Sequence, residues 1–123
     1  MMRHEIVDVL ARHSIGRICF LDGTYPIALP VNYRFDRDGA TERIVIQTTA
    51  SSQLAQAHGP ASFELDEFDF ATGRVWTVLV RGTLRRVLDT RDLPSTQPLL
   101  PVARDQFLAL TVTSLSGRHF SLA

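Results

Sequence analysis

Between positions 47 and 53, six of seven residues carry a hydroxyl or an amide: Gln47, Thr48, Thr49, Ser51, Ser52 and Gln53. These side chains donate and accept hydrogen bonds without ionising, so they can bind and orient a ligand but cannot act as strong acids or bases. The run lies where a β-rich segment, 43–49, gives way to a brief helical one through Leu54, Ala55 and Ala57, which Ser51 or Ser52 can cap and Gly59-Pro60 terminates. A helix start leaves backbone N–H groups without intrahelical partners, and hydroxyls beside them make a corner suited to an anion. An ordinary N-cap has the same donors, and the spacing leaves both readings open. Across a short hairpin, Ala28, Pro30 and Asn32 lie on the polar side of the alternation Ile27, Leu29, Val31, Tyr33, Phe35 and point toward the same corner.

The other reactive residue types form no comparable group. Cys19, the only cysteine, sits in the apolar run Ile18-Cys19-Phe20-Leu21, as a buried structural thiol does. His4, His13, His58 and His119 lack metal-ligand spacing, so no metal site is expected. Glu64 and Asp66 share a strand face and resemble a catalytic carboxylate pair in spacing, but a solvated face accounts for them. Phosphate-loop, zinc-protease, nucleophile-elbow and calcium-loop patterns are missing. No catalytic residue is identified.

These residues require a framework of strands. Ile6, Val9, Leu10 and His13 follow helical spacing and predict a helix over 6–13. Strands are predicted over 17–21, 27–35, 43–49, 61–66 and 75–88, the last with Gly82 as a bend or bulge, and over 106–113. Asp22-Gly23 and Asp36-Arg37-Asp38-Gly39 mark hairpin turns. Pro30 interrupts the second strand's hydrogen-bond ladder, which calls for an edge, a bulge or a flank without a strand. Residues 89–104 read as an irregular connection, and Gly117-Arg118-His119-Phe120 as a turn into a short extension. The expectation is one mainly β domain over 1–123, six-stranded and antiparallel, with short flanking helices and a sheet that closes on itself.

Thirteen basic residues balance thirteen acidic ones, which gives no general attraction to nucleic acid or anionic lipid. All thirteen are arginine, suited to planar contacts with phosphate or carboxylate, although composition bias would have the same effect. Without an apolar run of membrane-spanning length or a signal-peptide pattern, the expectation is a cytoplasmic protein with no membrane or nucleic-acid partner.

Four segments then fall in a recognisable order: Gly16-Arg17-Ile18, Pro30-Val31-Asn32-Tyr33, Ala61-x-Phe63-Glu64-Leu65-Asp66, and Trp76-Thr77-Val78-Leu79-Val80-Arg81-Gly82. Over residues 4–121 they resemble the pyridoxamine 5′-phosphate oxidase-like, FMN-binding split-barrel family. The resemblance implies a Greek-key split barrel and a homodimer with FMN held between its subunits. It further implies that Leu29, Pro30, Val31 and Asn32 lie against the isoalloxazine ring, and that Gln47, Thr48 and Thr49 face the ribityl chain and phosphate. Ser51, Ser52 and Gln53 complete the phosphate loop, and Trp76 stands near the dimer-related flavin. Gln53 occupies a position where the family commonly has lysine. The implied function is FMN-dependent oxidoreduction of a small organic substrate. Alternatives are a deazaflavin-dependent reductase, a non-catalytic flavin-binding or interaction protein, and a pyridoxamine 5′-phosphate oxidase.

Overall fold

A computed structural model describes residues 1–49, 51–88 and 106–122 of the chain. Helix α1 (Arg3–Arg12) precedes β1 (Ile15–Asp22), β2 (Tyr25–Asp38) and β3 (Thr41–Thr48). A single 3-10 turn, Gln53–Gln56, leads to β4 (Gly59–Asp69) and β5 (Arg74–Arg86), and β6 (Gln106–Ser121) completes the order. All pairings are antiparallel, and the strands close into a barrel in the order β1-β2-β3-β6-β5-β4. The sixth strand therefore returns between the third and the fifth instead of continuing a meander. Closure between β1 and β4 is narrow, spanning only the pairs of Arg17, Ile18 and Cys19 with Glu64, Phe63 and Ser62.

Alternation sends Ile18, Ile44, Ile46, Phe63, Leu84, Leu108 and Leu110 into a fully enclosed core. Tyr33 meets the edge of Phe63 at a centroid distance of 4.6 Å. Its hydroxyl donates to the Leu10 carbonyl at 2.6 Å, fastening α1 to the barrel. The helix buries Ile6, Val9 and Leu10, worth about 6 kcal/mol together as an upper estimate.

Two predicted boundaries are corrected. The helix occupies Arg3–Arg12 rather than 6–13. Its first turn is polar and has no apolar period, but Glu5 Oε1 accepts the Met2 N–H at 3.1 Å and holds the start in place. The final strand does not turn at Gly117; it runs to Ser121 because the first half of β5 needs a partner, and Gly117 pairs with Val78 there. A Cβ at Gly117 would come within 2.9 Å of the Met1 sulfur and 3.0 Å of Ile6. Glycine serves at this position as close packing against α1, not as a turn.

Candidate functional site

The second strand changes partners partway along, pairing with β1 over 25–32 and with β3 from Tyr33 onward. Tyr33 N–H donates to the Ser14 carbonyl at 2.9 Å. In an antiparallel ladder that fixes the phase: odd-numbered residues of β2 turn their backbone groups toward β1, and even-numbered ones turn theirs away. Pro26 and Pro30 therefore fall opposite Leu21 and Arg17 at non-hydrogen-bonded pairs. Their nitrogens face a flank that carries no strand among the described residues. The missing N–H groups cost no ladder bond, and the flank presents the Ala28 N–H and the Ala28 and Pro30 carbonyls.

The polar run after β3 lies along this flank. Thr48 Oγ1 and Ser52 Oγ are 2.8 Å apart, and Thr49 Oγ1 and Ser51 Oγ are 3.4 Å apart. Ser52 caps the 3-10 turn, its hydroxyl accepting the Ala55 N–H at 3.2 Å. At the far end, Gln53 Nε2 donates to Asp22 Oδ2 at 2.8 Å, and Asp22 pairs with Tyr25 at the start of β2. The run thus extends from the level of Val31 toward that of Tyr25. Of the predicted site residues, Pro30, Asn32, Gln47, Thr48, Thr49, Ser51, Ser52 and Gln53 gather at this corner, while the Val31 side chain is buried in the core and that of Leu29, half-buried on the same face, packs against it.

Trp76 does not join them. It stacks on His119 at 6.3 Å, opposite Glu67. Arg86, ten residues further along β5, is still two rungs short of the Thr48–Gln106 pair. At about 3.3 Å per residue the indole lies roughly 30 Å or more along the barrel from the hydroxyl corner. Near it, Arg12 Nε and Nη2 donate to Glu67 at 3.0 Å each, and His13 Nε2 is 2.5 Å from Glu67 Oε2. Arg12 above all, with His13 also contributing, holds the Glu67 carboxyl below its ordinary range, against a smaller opposing effect of burial.

Glu64 and Asp66 were expected on a solvated face, and here the structure corrects the sequence. Both line a cavity of about 240 Å³ with Gly16, Arg17 and Pro30. Glu64 Oε1 is buried without a hydrogen-bond partner. Burial first, then the neighbouring Asp66 carboxyl, pushes the Glu64 pKa up, opposed by Arg17. Sequence reasoning missed this because alternation assigns a face but not what covers it. Cys19, half-buried, lines an adjacent groove of about 510 Å³ with Ser62 and Arg81, and burial pushes its thiol up, away from the reactive thiolate. Among the described residues no group of three or more His, Cys, Asp or Glu could hold a metal ion, and no helix is long and apolar enough to cross a membrane.

A family model described as pyridoxamine 5′-phosphate oxidase matches residues 2–119. No curated protein matches the chain. Among solved structures, a conserved protein of unknown function from Corynebacterium diphtheriae superposes with a TM-score of 0.80 at 23% identity, covering 99% of this chain and 96% of that one. An FAD-binding protein from Mycobacterium smegmatis gives 0.76 at 24% identity, covering 98% and 97%. An FAD-binding protein from Mesorhizobium loti gives 0.75 at 17%, covering 98% and 96%. At these identities the structural likenesses establish the fold.

Proposed function

The chain belongs to the pyridoxamine 5′-phosphate oxidase family, a flavin-binding fold family, and we propose that it is an FMN-dependent oxidoreductase of a small organic substrate, acting as a homodimer. The observation that carries this reading is the open flank of β2 beside the hydroxyl run that follows β3. A flavin ring ends in an imide edge, an N–H between two carbonyl oxygens, and on the open flank the Ala28 N–H offers a donor for one of those oxygens and a neighbouring carbonyl, of Ala28 or Pro30, an acceptor for the imide N–H. Thr48, Thr49, Ser51 and Ser52 would hold the phosphate through hydroxyls and the adjoining N–H groups. When bound, the flavin supplies the hydride or electron transfer, and the protein contributes placement and electrostatics. Residues 29–32 and 47–53 contain no ionisable side chain, which suits redox chemistry better than hydrolysis. Trp76 is too far along the barrel to meet a flavin at its own chain's corner, which supports a site completed by a second copy.

One observation favours a second reading. The Gln53 amide is committed to Asp22, so the loop brings an amide and a nearby carboxylate where a phosphate would gain from a cation. A deazaflavin has the same imide edge and phosphate-bearing tail, and a corner weak for FMN can be completed by the rest of the larger cofactor. The resemblance to two FAD-binding proteins adds a third flavin to compare. Titration of cofactor-free protein with FMN, FAD and the deazaflavin, followed by turnover with reduced nicotinamides, tests the proposal. Saturable binding with FMN tightest is expected, and binding of none of the three overturns it.

A further inference from the structure

The seam between β1 and β4 opens beyond the Cys19–Ser62 pair. Even-numbered residues of β1 turn their backbone groups to β2, so Arg17, Cys19 and Leu21 turn theirs to β4. The next rung would join Leu21 to Pro60, and proline has no N–H to give it. Pairing stops at Cys19–Ser62, so even the half-rung that proline allows, from the Leu21 N–H to the Pro60 carbonyl, is not made. The Leu21 N–H therefore faces the gap with no partner among the described residues.

The gap is a groove of about 510 Å³, within the range of about 300–1,000 Å³ usual for small-molecule sites. Leu21, Pro26, Pro60 and Ala61 make its lining largely apolar, and no carboxylate takes part in it. Burial pushes the Cys19 thiol up, so the thiol brings no negative charge either. Polar groups enter from the β5 side: Arg81, Ser62 opposite it, and Thr113. Thr113 is there because the ladder slips, Arg81 pairing with Ser114 and Gly82 with Val112, which leaves Thr113 over between them. Exposed Arg81 makes no hydrogen bond or ion pair with any described residue. Glu64, two residues from Ser62 on the same side of β4, is met by Arg17 instead, at 3.7 Å.

We propose that this groove binds a small organic acid, its carboxylate on the Arg81 guanidinium and its apolar body across Pro60 and Ala61 toward Leu21 and Pro26. A guanidinium presents paired N–H groups that match the two oxygens of a carboxylate, and the Ser62 and Thr113 hydroxyls stand ready to add to them. Two strand spacings, about 10 Å, separate Arg81 from Leu21 across β4. That is room for one aromatic ring with its carboxylate, with the Leu21 N–H as a further donor at the far wall. The site is separate from the cofactor corner, since none of these residues belongs to 29–32 or 47–53, and it does not depend on a flavin.

Calorimetric titration of the full chain with benzoate tests this. Saturable binding is expected. Benzamide has the same shape without the charge, and acetate the charge without the apolar body; each should bind at least tenfold more weakly than benzoate. Arg81→Ala should lower benzoate affinity at least tenfold, and Arg81→Lys, which keeps the charge but not the planar fork, about threefold. The amide resonance of Leu21 should move as benzoate saturates the wild type, which locates the ligand without any variant. Absence of benzoate binding, benzamide binding as tightly as benzoate, an unmoved Leu21 amide, or an Arg81→Ala variant with wild-type affinity overturns the proposal. So does inorganic phosphate binding as tightly as benzoate, because the groove then reads charge alone. Flavin titration of the same protein reads the cofactor proposal separately: benzoate binding without flavin binding keeps the groove and removes the cofactor.

Discussion

The side-chain amide of Gln53 donates to the carboxylate of Asp22 at 2.8 Å, across 31 residues of sequence. This bond sets the outcome of placing a lysine at position 53. A lysine there would find Asp22 first and spend its charge on a carboxylate rather than on a phosphate. Gln53→Lys alone is therefore expected to change FMN affinity by less than about threefold. Combined with Asp22→Asn the cation is released toward the phosphate, and a charge-assisted hydrogen bond of about 1.5–3 kcal/mol should appear as a gain of tenfold or more. Calorimetric titration of the single and double variants checks this. A full gain in the single variant would mean that Asp22 does not hold the side chain.

Ser52 serves two partners, accepting the Ala55 N–H and standing 2.8 Å from the Thr48 hydroxyl. Ser52→Ala leaves the 3-10 turn uncapped, which costs about 1 kcal/mol. It also removes a hydroxyl from the proposed phosphate corner. Chemical denaturation should show the stability loss with an unchanged slope, and FMN affinity should fall by about three- to tenfold. Ser51→Ala, which loses only a contact of 3.4 Å with Thr49, should lower affinity with little change in stability. Equal effects of the two variants on stability would contradict the capping role.

The period of two in residues 27–35, the hairpin turns at Gly23 and Gly39, both with positive φ, and the six-strand count were legible because each is local. Pro30 also called for an edge, a bulge or a flank without a strand, and the last is what the strand has. Which flank, and why Pro26 shares it, depended on the phase set by Tyr33 and Ser14, a pairing across 19 residues. The Gln53–Asp22 bond and the burial of Glu64 Oε1 were illegible for the same reason, since both arise from segments that meet only when the barrel closes. The extent of β6 was misjudged because glycine reads as a turn locally, whereas Gly117 accommodates α1.

Gly82 shows a local signal read correctly. The ladder between β5 and β6 shifts register between Arg81 and Gly82, and a Cβ at Gly82 would come within 2.0 Å of the Thr111 carbonyl oxygen. The obstacle is backbone, so no rotamer relieves it. Gly82→Ala should destabilise the protein by about 3 kcal/mol, the upper end of overpacking costs. Thermal unfolding of this variant beside Gly39→Ala separates the causes, because nothing lies within 4 Å of a Cβ at Gly39 and only its positive φ opposes the change. A smaller loss at Gly82 than at Gly39 would show that β6 yields easily at the bulge.

The Arg12–Glu67–His13 cluster joins the end of α1 to β4 and gives stability a pH dependence of definite sign. Arg12 first, and His13 after it, hold the Glu67 carboxyl below its ordinary value of 4.5 in the folded chain. A carboxyl whose folded pKa is depressed contributes stability that is present above the unfolded value and lost as pH falls through the folded one. The window therefore opens near pH 4.5 and extends downward. Glu67 is about one-fifth exposed, and a bidentate arginine pair with this much solvent contact is worth about 1 kcal/mol. Glu67→Gln should cost about that much at pH 7, and the difference from wild type should shrink as pH falls below 4.5. Arg12→Gln should show most of the same loss over the same window, because Arg12 is the larger cause of the depression. Unfolding curves at pH 7, 5, 4 and 3 check the sign, and a difference that grows on acidification would mean that the folded carboxyl is the one easier to protonate.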